Sequence, residues 1–124
     1  MDESVSPAVP RADGAIRSAI SQAVVQLHAD HYGKGATQAK TYLLENLVVT
    51  VLRDVLTTSE RTLVNARRAE MVREVRNAFQ STMEPHFRDA VEQITGRTVV
   101  AFMSQVDPVN GVGVEVFILA PGAD

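Results

Sequence analysis

The sequence predicts an α+β domain in the order αββαββ: an antiparallel four-stranded sheet packed by a short N-terminal helix and a long central helix. Three observations carry this. Apolar residues recur at helical spacing over 14–31 and 58–95; β-branched and aromatic residues crowd two pairs of short runs; and each pair is separated by residues suited to a turn. One sheet with both helices on the same face is the most economical way to bury all of these stripes.

Residues 1–13 hold Asp, Glu, Ser and two prolines, with little to bury, and read as a flexible tail. From Gly14 a stripe appears at Ile16, Ile20, Val24 and Leu27, with Asp13 as the N-cap and the helix ending near His31. The Tyr32-Gly33-Lys34-Gly35-Ala36 segment that follows is a loop, because two glycines around a lysine favour irregular backbone. The runs 38–44 and 47–53 form a hairpin across Glu45-Asn46, Asn46 being the residue expected to take positive φ. Leu47 to Leu52 are apolar on both faces, which calls for a central strand or for a second subunit over the outer face.

The stretch 58–95 reads as one helix or two collinear ones, with Val72, Val75, Phe79, Met83, Phe87, Ala90 or Val91, and Ile94 in one stripe. Met71, Phe79, Met83 and Phe87 are expected in the core. Thr57 and Glu60 have capping-box spacing, and Gly96 supplies a left-handed stop. Pro85 is expected to kink the helix or to break it near Met83 or Glu84. Runs 98–106 and 112–119 make a second hairpin across Asp107-Pro108-Val109-Asn110-Gly111. Within it Val114, Val116 and Ile118 point one way, and Glu115, Phe117 and Leu119 the other. Apolar residues on both faces predict a homodimer. Residues 14–120 are expected to form a single domain, with 121–124 a C-terminal tail.

Composition narrows the function. With 124 residues the chain has length for one core. Charged residues are 22% and the formal net charge is -3, which argues against DNA binding and makes RNA binding unfavourable. The absence of cysteine excludes disulfides, thiolate metal sites and cysteine nucleophiles. No apolar run approaches the length needed to span a bilayer. There is no Ser-His-Asp arrangement at a nucleophile elbow, no paired-carboxylate motif and no metal-ligand spacing, so no catalytic residues are assigned and the chain is not read as an enzyme.

Two candidate sites stand out. Tyr32, Gly33, Lys34 and Gly35 could form an anion-binding nest, amides converging on a carboxylate or phosphate beside the lysine; the spacing is not that of a P-loop. Arg61, Arg67 and Arg68 are candidates for contact with a partner protein, although Glu60, Glu70 and Glu74 interleave with the arginines to make a mixed, solvated face. His28 and His31 share a helix face at i and i+3 but lack further ligands, so neither metal nor cofactor is expected.

Several of these stretches together resemble the MpsC-type small bacterial domain family. They are Val25-Gln26-Leu27-His28, Tyr32-Gly33-Lys34-Gly35, Ala39-Lys40-Thr41-Tyr42, Val48 to Leu52, and Leu56-Thr57 with Glu60. Phe87, Glu92, Ile94, Thr95-Gly96, Val99-Val100 and the Val114 to Leu119 strand continue the likeness, which spans roughly Ala15 to Leu119. Ala36 stands where the family loop commonly has proline, which leaves the loop less rigid. The resemblance implies an accessory role, without catalysis, beside membrane proteins of bicarbonate uptake or ion-coupled energisation; it brings no catalytic residues with it. The expectation is therefore a cytoplasmic homodimeric accessory domain, associated with the membrane through a transporter subunit. A small-anion or metabolite sensor using the Gly33 to Gly35 loop is one alternative, and an RNA- or ribosome-associated factor is another.

Overall fold

The computed structural model describes residues 5–122, with side chains described from residue 13 to residue 122. Its elements are α1 (Val5–Tyr32), β1 (Gln38–Leu44), β2 (Leu47–Arg53), α2 (Thr58–Asn65), α3 (Ala69–Thr95), β3 (Val99–Asp107) and β4 (Val112–Leu119). The four strands form one antiparallel sheet in the order β1-β2-β4-β3, so each hairpin contributes one edge and one central strand. This is the α+β architecture the sequence predicts, with three changes in the helices.

First, α1 is not short. It runs for 28 residues from Val5, so the backbone at 5–13 is helical where a tail is expected, and Asp13 lies inside the helix and does not cap it. Residues 1–4 and 123–124 of the two expected tails lie outside the described residues.

Second, of the two readings of 58–95 the structure has the two-helix one, but the division falls after Asn65 and not near Pro85. The capping box at Thr57 is formed: its hydroxyl accepts from the Glu60 amide at 3.2 Å, and its own amide donates to the Glu60 carboxylate at 2.9 Å. After Asn65 the Arg68 amide donates back to Leu63 O at 2.7 Å and the Arg67 amide to Val64 O at 3.0 Å, with Arg67 at φ 61. This is the Schellman arrangement, in which the chain turns left-handed and the helix stops. Arg67 occupies the position that glycine normally takes.

Third, Pro85 does not break α3, which is continuous from Ala69 to Thr95. Pro85 lies on the exposed side, where a carbonyl freed by the missing amide can face water. Gly96, at φ 71, ends α3 as expected.

The sheet obeys the predicted alternation. In β4 the buried positions are Gly113, Glu115, Phe117 and Leu119, while Val112, Val114, Val116 and Ile118 face away from the helices. The core lies on the helix side: Ile20 and Val24 of α1 and Val72, Met83, Phe87 and Val91 of α3 meet Val48, Leu52, Phe102 and Phe117. Rings of Phe87, Phe102 and Phe117 follow one another at 5.5 and 5.1 Å between centroids. The first hairpin closes across Glu45-Asn46 as predicted, but positive φ falls on Glu45 at 51° and not on Asn46. Arg97 fixes that turn by donating to Glu45 O at 3.0 Å, to the Asn46 side chain, and to Ala120 O at 2.7 Å.

Candidate functional site

Strand register puts four polar side chains in one row across the buried face: Thr41, Thr50, Glu115 and Ser104. Ser21 of α1 bonds Thr41 at 2.7 Å, and Thr41 bonds Thr50 at 2.8 Å, so this end of the row is satisfied internally. At the other end Glu115 receives His28 of α1, Nε2 to Oε2 at 2.9 Å, with His28 only 4% and Glu115 2% exposed. A polar side chain at this depth is tolerated because it has this partner, since an unpaired buried polar group is costly. Nδ1 of His28 and Oε1 of Glu115 have no hydrogen-bond partner among the described residues. Both residues line a cavity of about 10 Å³ with Tyr32, Arg76 and Ser104. That is about the space of one water molecule.

Above this row Arg76 joins three elements. Its Nε and Nη2 donate to the two oxygens of Glu60 at 2.7 Å each, and Nη2 donates to Val55 O at 2.9 Å. The guanidinium lies 3.8 Å from the centroid of the Tyr32 ring. A planar, bidentate cation stacked on an aromatic face is a role lysine cannot fill. Burial tends to raise the Glu60 pKa, but the bonds from Arg76 and Thr57 outweigh it and hold the carboxyl below its ordinary value. Burial raises the Tyr32 phenol, and the nearby Glu115 and Glu60 charges add to this against Arg76.

The predicted loop residues are placed with these. Tyr32 is the platform for Arg76 and stacks on Phe79 at 5.2 Å. Gly33, at φ 83, turns the chain out of α1, its amide donating to Ala29 O at 3.0 Å. Lys34 donates to Asp54 O at 2.8 Å and to its carboxylate at 3.4 Å, and Arg61 reaches the same carboxylate at 3.3 Å. Arg61 and then Lys34 hold the Asp54 carboxyl below its usual range. Gly35 passes so close to α1 that a Cβ would lie 2.9 Å from both Val25 Cγ1 and Val25 O. Each member of the motif therefore has a structural role, and together they lash the end of α1 to the corner after β2.

The sequence reading missed His28 with Glu115, and Arg76 with Glu60. A signal for each exists: Glu115 sits on the inward parity of β4 between Gly113 and Phe117, and Arg76 shares the inward face of α3 with Val72, Met83 and Phe87. His31 is exposed, its ring 5.1 Å from that of His86. Among the described residues no three His, Cys, Asp or Glu side chains are grouped to hold a metal.

A family model described as Na+-translocating membrane potential-generating system (MpsC) matches residues 12–121. The chain belongs to the MpsC family. The Bacillus subtilis (strain 168) protein designated "Uncharacterized protein YbcI" is similar, 26% identical over 110 residues, covering 88% of this chain and 89% of that one. No solved structure matches the chain.

The MpsC domain carries two exposed apolar surfaces. One is the outer sheet face, where register lines up Leu44, Leu47, Ile118 and Ala101 in one row and Tyr42, Val49, Val116 and Met103 in the next. Lys40, Val51, Val114 and Gln105 follow, and Gln38, Arg53, Val112 and Asp107 form the last row. Tyr42, Leu44 and Met103 are 45%, 65% and 51% exposed. The other surface corrects the sequence reading of α3: Met71, Val75 and Phe79 lie outside the core, 43%, 47% and 40% exposed. Arg76 takes the inward position in that half of the helix and rotates their stripe to the flank. Arg67 and Arg68 immediately precede α3 beside this flank; among the described residues neither meets a carboxylate. No helix among the described residues is long and apolar enough to cross a membrane.

Proposed function

We propose that the domain is a non-enzymatic accessory or regulatory component of a membrane transport or membrane-potential-generating system, working as a homodimer and docking onto a membrane-bound partner from the cytoplasm. The supporting observation is the α3 flank, on which Met71, Val75 and Phe79 stand exposed at i, i+4 and i+8 next to Arg67 and Arg68. Apolar anchors beside arginines suit a protein surface with a greasy groove and a carboxylate rim. The family description, a sodium-translocating membrane-potential-generating system, supports a partner of that class.

The test is affinity capture from detergent-solubilised membranes with the full chain and with Val75→Asp, a change at an exposed position that leaves the core intact. An integral membrane protein retained by the wild type and lost by Val75→Asp is expected. Recovery of soluble proteins alone, or equal retention by both forms, overturns the reading.

A further inference from the structure

We infer that two copies of this chain pair through their outer sheet faces about a two-fold axis parallel to the strands, which sets β1 of one copy over β3 of the other. The inference rests on the homodimer reading above and says which surface, and which symmetry, makes the dimer.

Size comes first. Four strands about 4.8 Å apart and about seven residues long make a face of roughly 450 Å² in projection, and its corrugated accessible surface approaches the roughly 800 Å² per partner of a specific interface. Its two fully apolar rows lie side by side, and a contiguous exposed apolar patch of a few hundred Å² commonly marks an interaction site.

The symmetry follows from how polarity is graded along the strands. An axis in the plane of the interface and parallel to the strands keeps each row at its own height. The row Tyr42, Val49, Val116 and Met103 then meets the same row of the other copy, apolar against apolar, with Tyr42 over Met103 and Val49 over Val116. An axis perpendicular to the strands would reverse the rows, setting Arg53 on Leu47 and Asp107 on Ala101. Burying those charges against side chains that cannot pair with them is unfavourable.

Charge favours the same choice. On the outer face the cations Lys40 and Arg53 belong to the β1-β2 half, and the anion Asp107 to the β3-β4 half. Exchanging the halves places Lys40 over Gln105 and one row from Asp107 of the other copy, so opposite charges approach at the rim. Packing of sheets face to face leaves about 10 Å between them, filled by interdigitating side chains.

The chain has no cysteine, so introduced thiols report without background. Sedimentation of the full chain at micromolar concentration is expected to give a dimer, and Met103→Lys, at a half-exposed position, is expected to weaken it roughly 100-fold by setting a charge against Tyr42. Mixing Lys40→Cys with Gln105→Cys and adding a bismaleimide that spans about 10 Å should link the two forms to each other. Lys40→Cys alone should not link, because the two β1 strands lie at opposite edges of the interface. Circular dichroism confirms that each variant is folded. A monomer overturns the homodimer reading together with this inference. A dimer that resists Met103→Lys, or that links Lys40→Cys to itself, overturns this interface and leaves the accessory reading standing.

Discussion

The His28 imidazole and the Glu115 carboxylate, 87 residues apart in the chain, meet at 2.9 Å inside the core. The contact ties the first helix to the last strand across the centre of the sheet, and each group is buried only because the other is there. Removing one partner leaves the other unpaired in an apolar setting. Glu115→Leu is expected to cost about 3 kcal/mol, and His28→Leu a similar amount. The double variant replaces both by apolar side chains, so it should recover about 1 kcal/mol or more of the summed loss, an interaction energy within the range of roughly 0.5–3 kcal/mol known for contacting pairs. Urea unfolding of the four forms measures this directly. Strictly additive costs would show that the two groups do not depend on each other.

Strand parity, the Thr57 capping box and the left-handed Gly96 stop are all legible in the sequence, because each is a local rule: alternation, a three-residue spacing, a residue without Cβ. The division between α2 and α3 is not, since it depends on Arg67 at φ 61 where the rule expects glycine. The first hairpin is legible across Glu45-Asn46, but which of the two takes positive φ is not: it is Glu45, at φ 51. Of the candidate site, the Tyr32 to Gly35 motif is visible but what it does is not. Lys34 looks like a free cation until Asp54, twenty residues on, is seen to receive it. The interior position of Arg76 is a tertiary fact, made tolerable by Glu60, Val55 O and Tyr32 together.

Glu60 gives the fold a defined sensitivity to acid. Its folded-state pKa lies below the unfolded one, burial notwithstanding, through Arg76 and Thr57. The stability it contributes is therefore present above the ordinary glutamate value of about 4.3 and is lost as pH falls through the folded-state value. Unfolding free energies measured from pH 6 to pH 3 should fall more steeply for the wild type than for Glu60→Gln. Parallel profiles would show that Arg76 does not favour the ionised form.

Arg67 holds left-handed backbone at φ 61 without the freedom glycine has there. The strain of such a residue is about 1–2 kcal/mol, offset in part by the greater entropy of glycine in the unfolded chain. Arg67→Gly is expected to stabilise the domain by about 0.5–1 kcal/mol and to raise Tm by roughly 2–4 °C in a thermal scan. If the same substitution also weakens capture of the proposed membrane partner, the arginine is kept at that position for binding and at the expense of stability. A fall in Tm would instead mean that the Arg67 side chain stabilises the α2-α3 corner.

The two glycines of the loop should respond to alanine for different reasons, and the contrast tests the structural account of the motif. Gly33 has φ 83 and open space around it, so Gly33→Ala carries backbone strain alone, about 1 kcal/mol. Gly35 has ordinary backbone, but a Cβ there would lie 2.9 Å from the Val25 carbonyl oxygen and from its Cγ1. The methyl can be accommodated only by moving the loop away from α1, which costs about 1–3 kcal/mol. That displacement would also draw Lys34 off Asp54. Val25→Ala should therefore rescue part of Gly35→Ala by removing the side-chain half of the clash, and should do nothing for Gly33→Ala. Denaturation of the two single variants and their Val25→Ala combinations decides the matter; equal rescue at both positions would mean that the close approach of Gly35 to α1 is not what makes glycine necessary there.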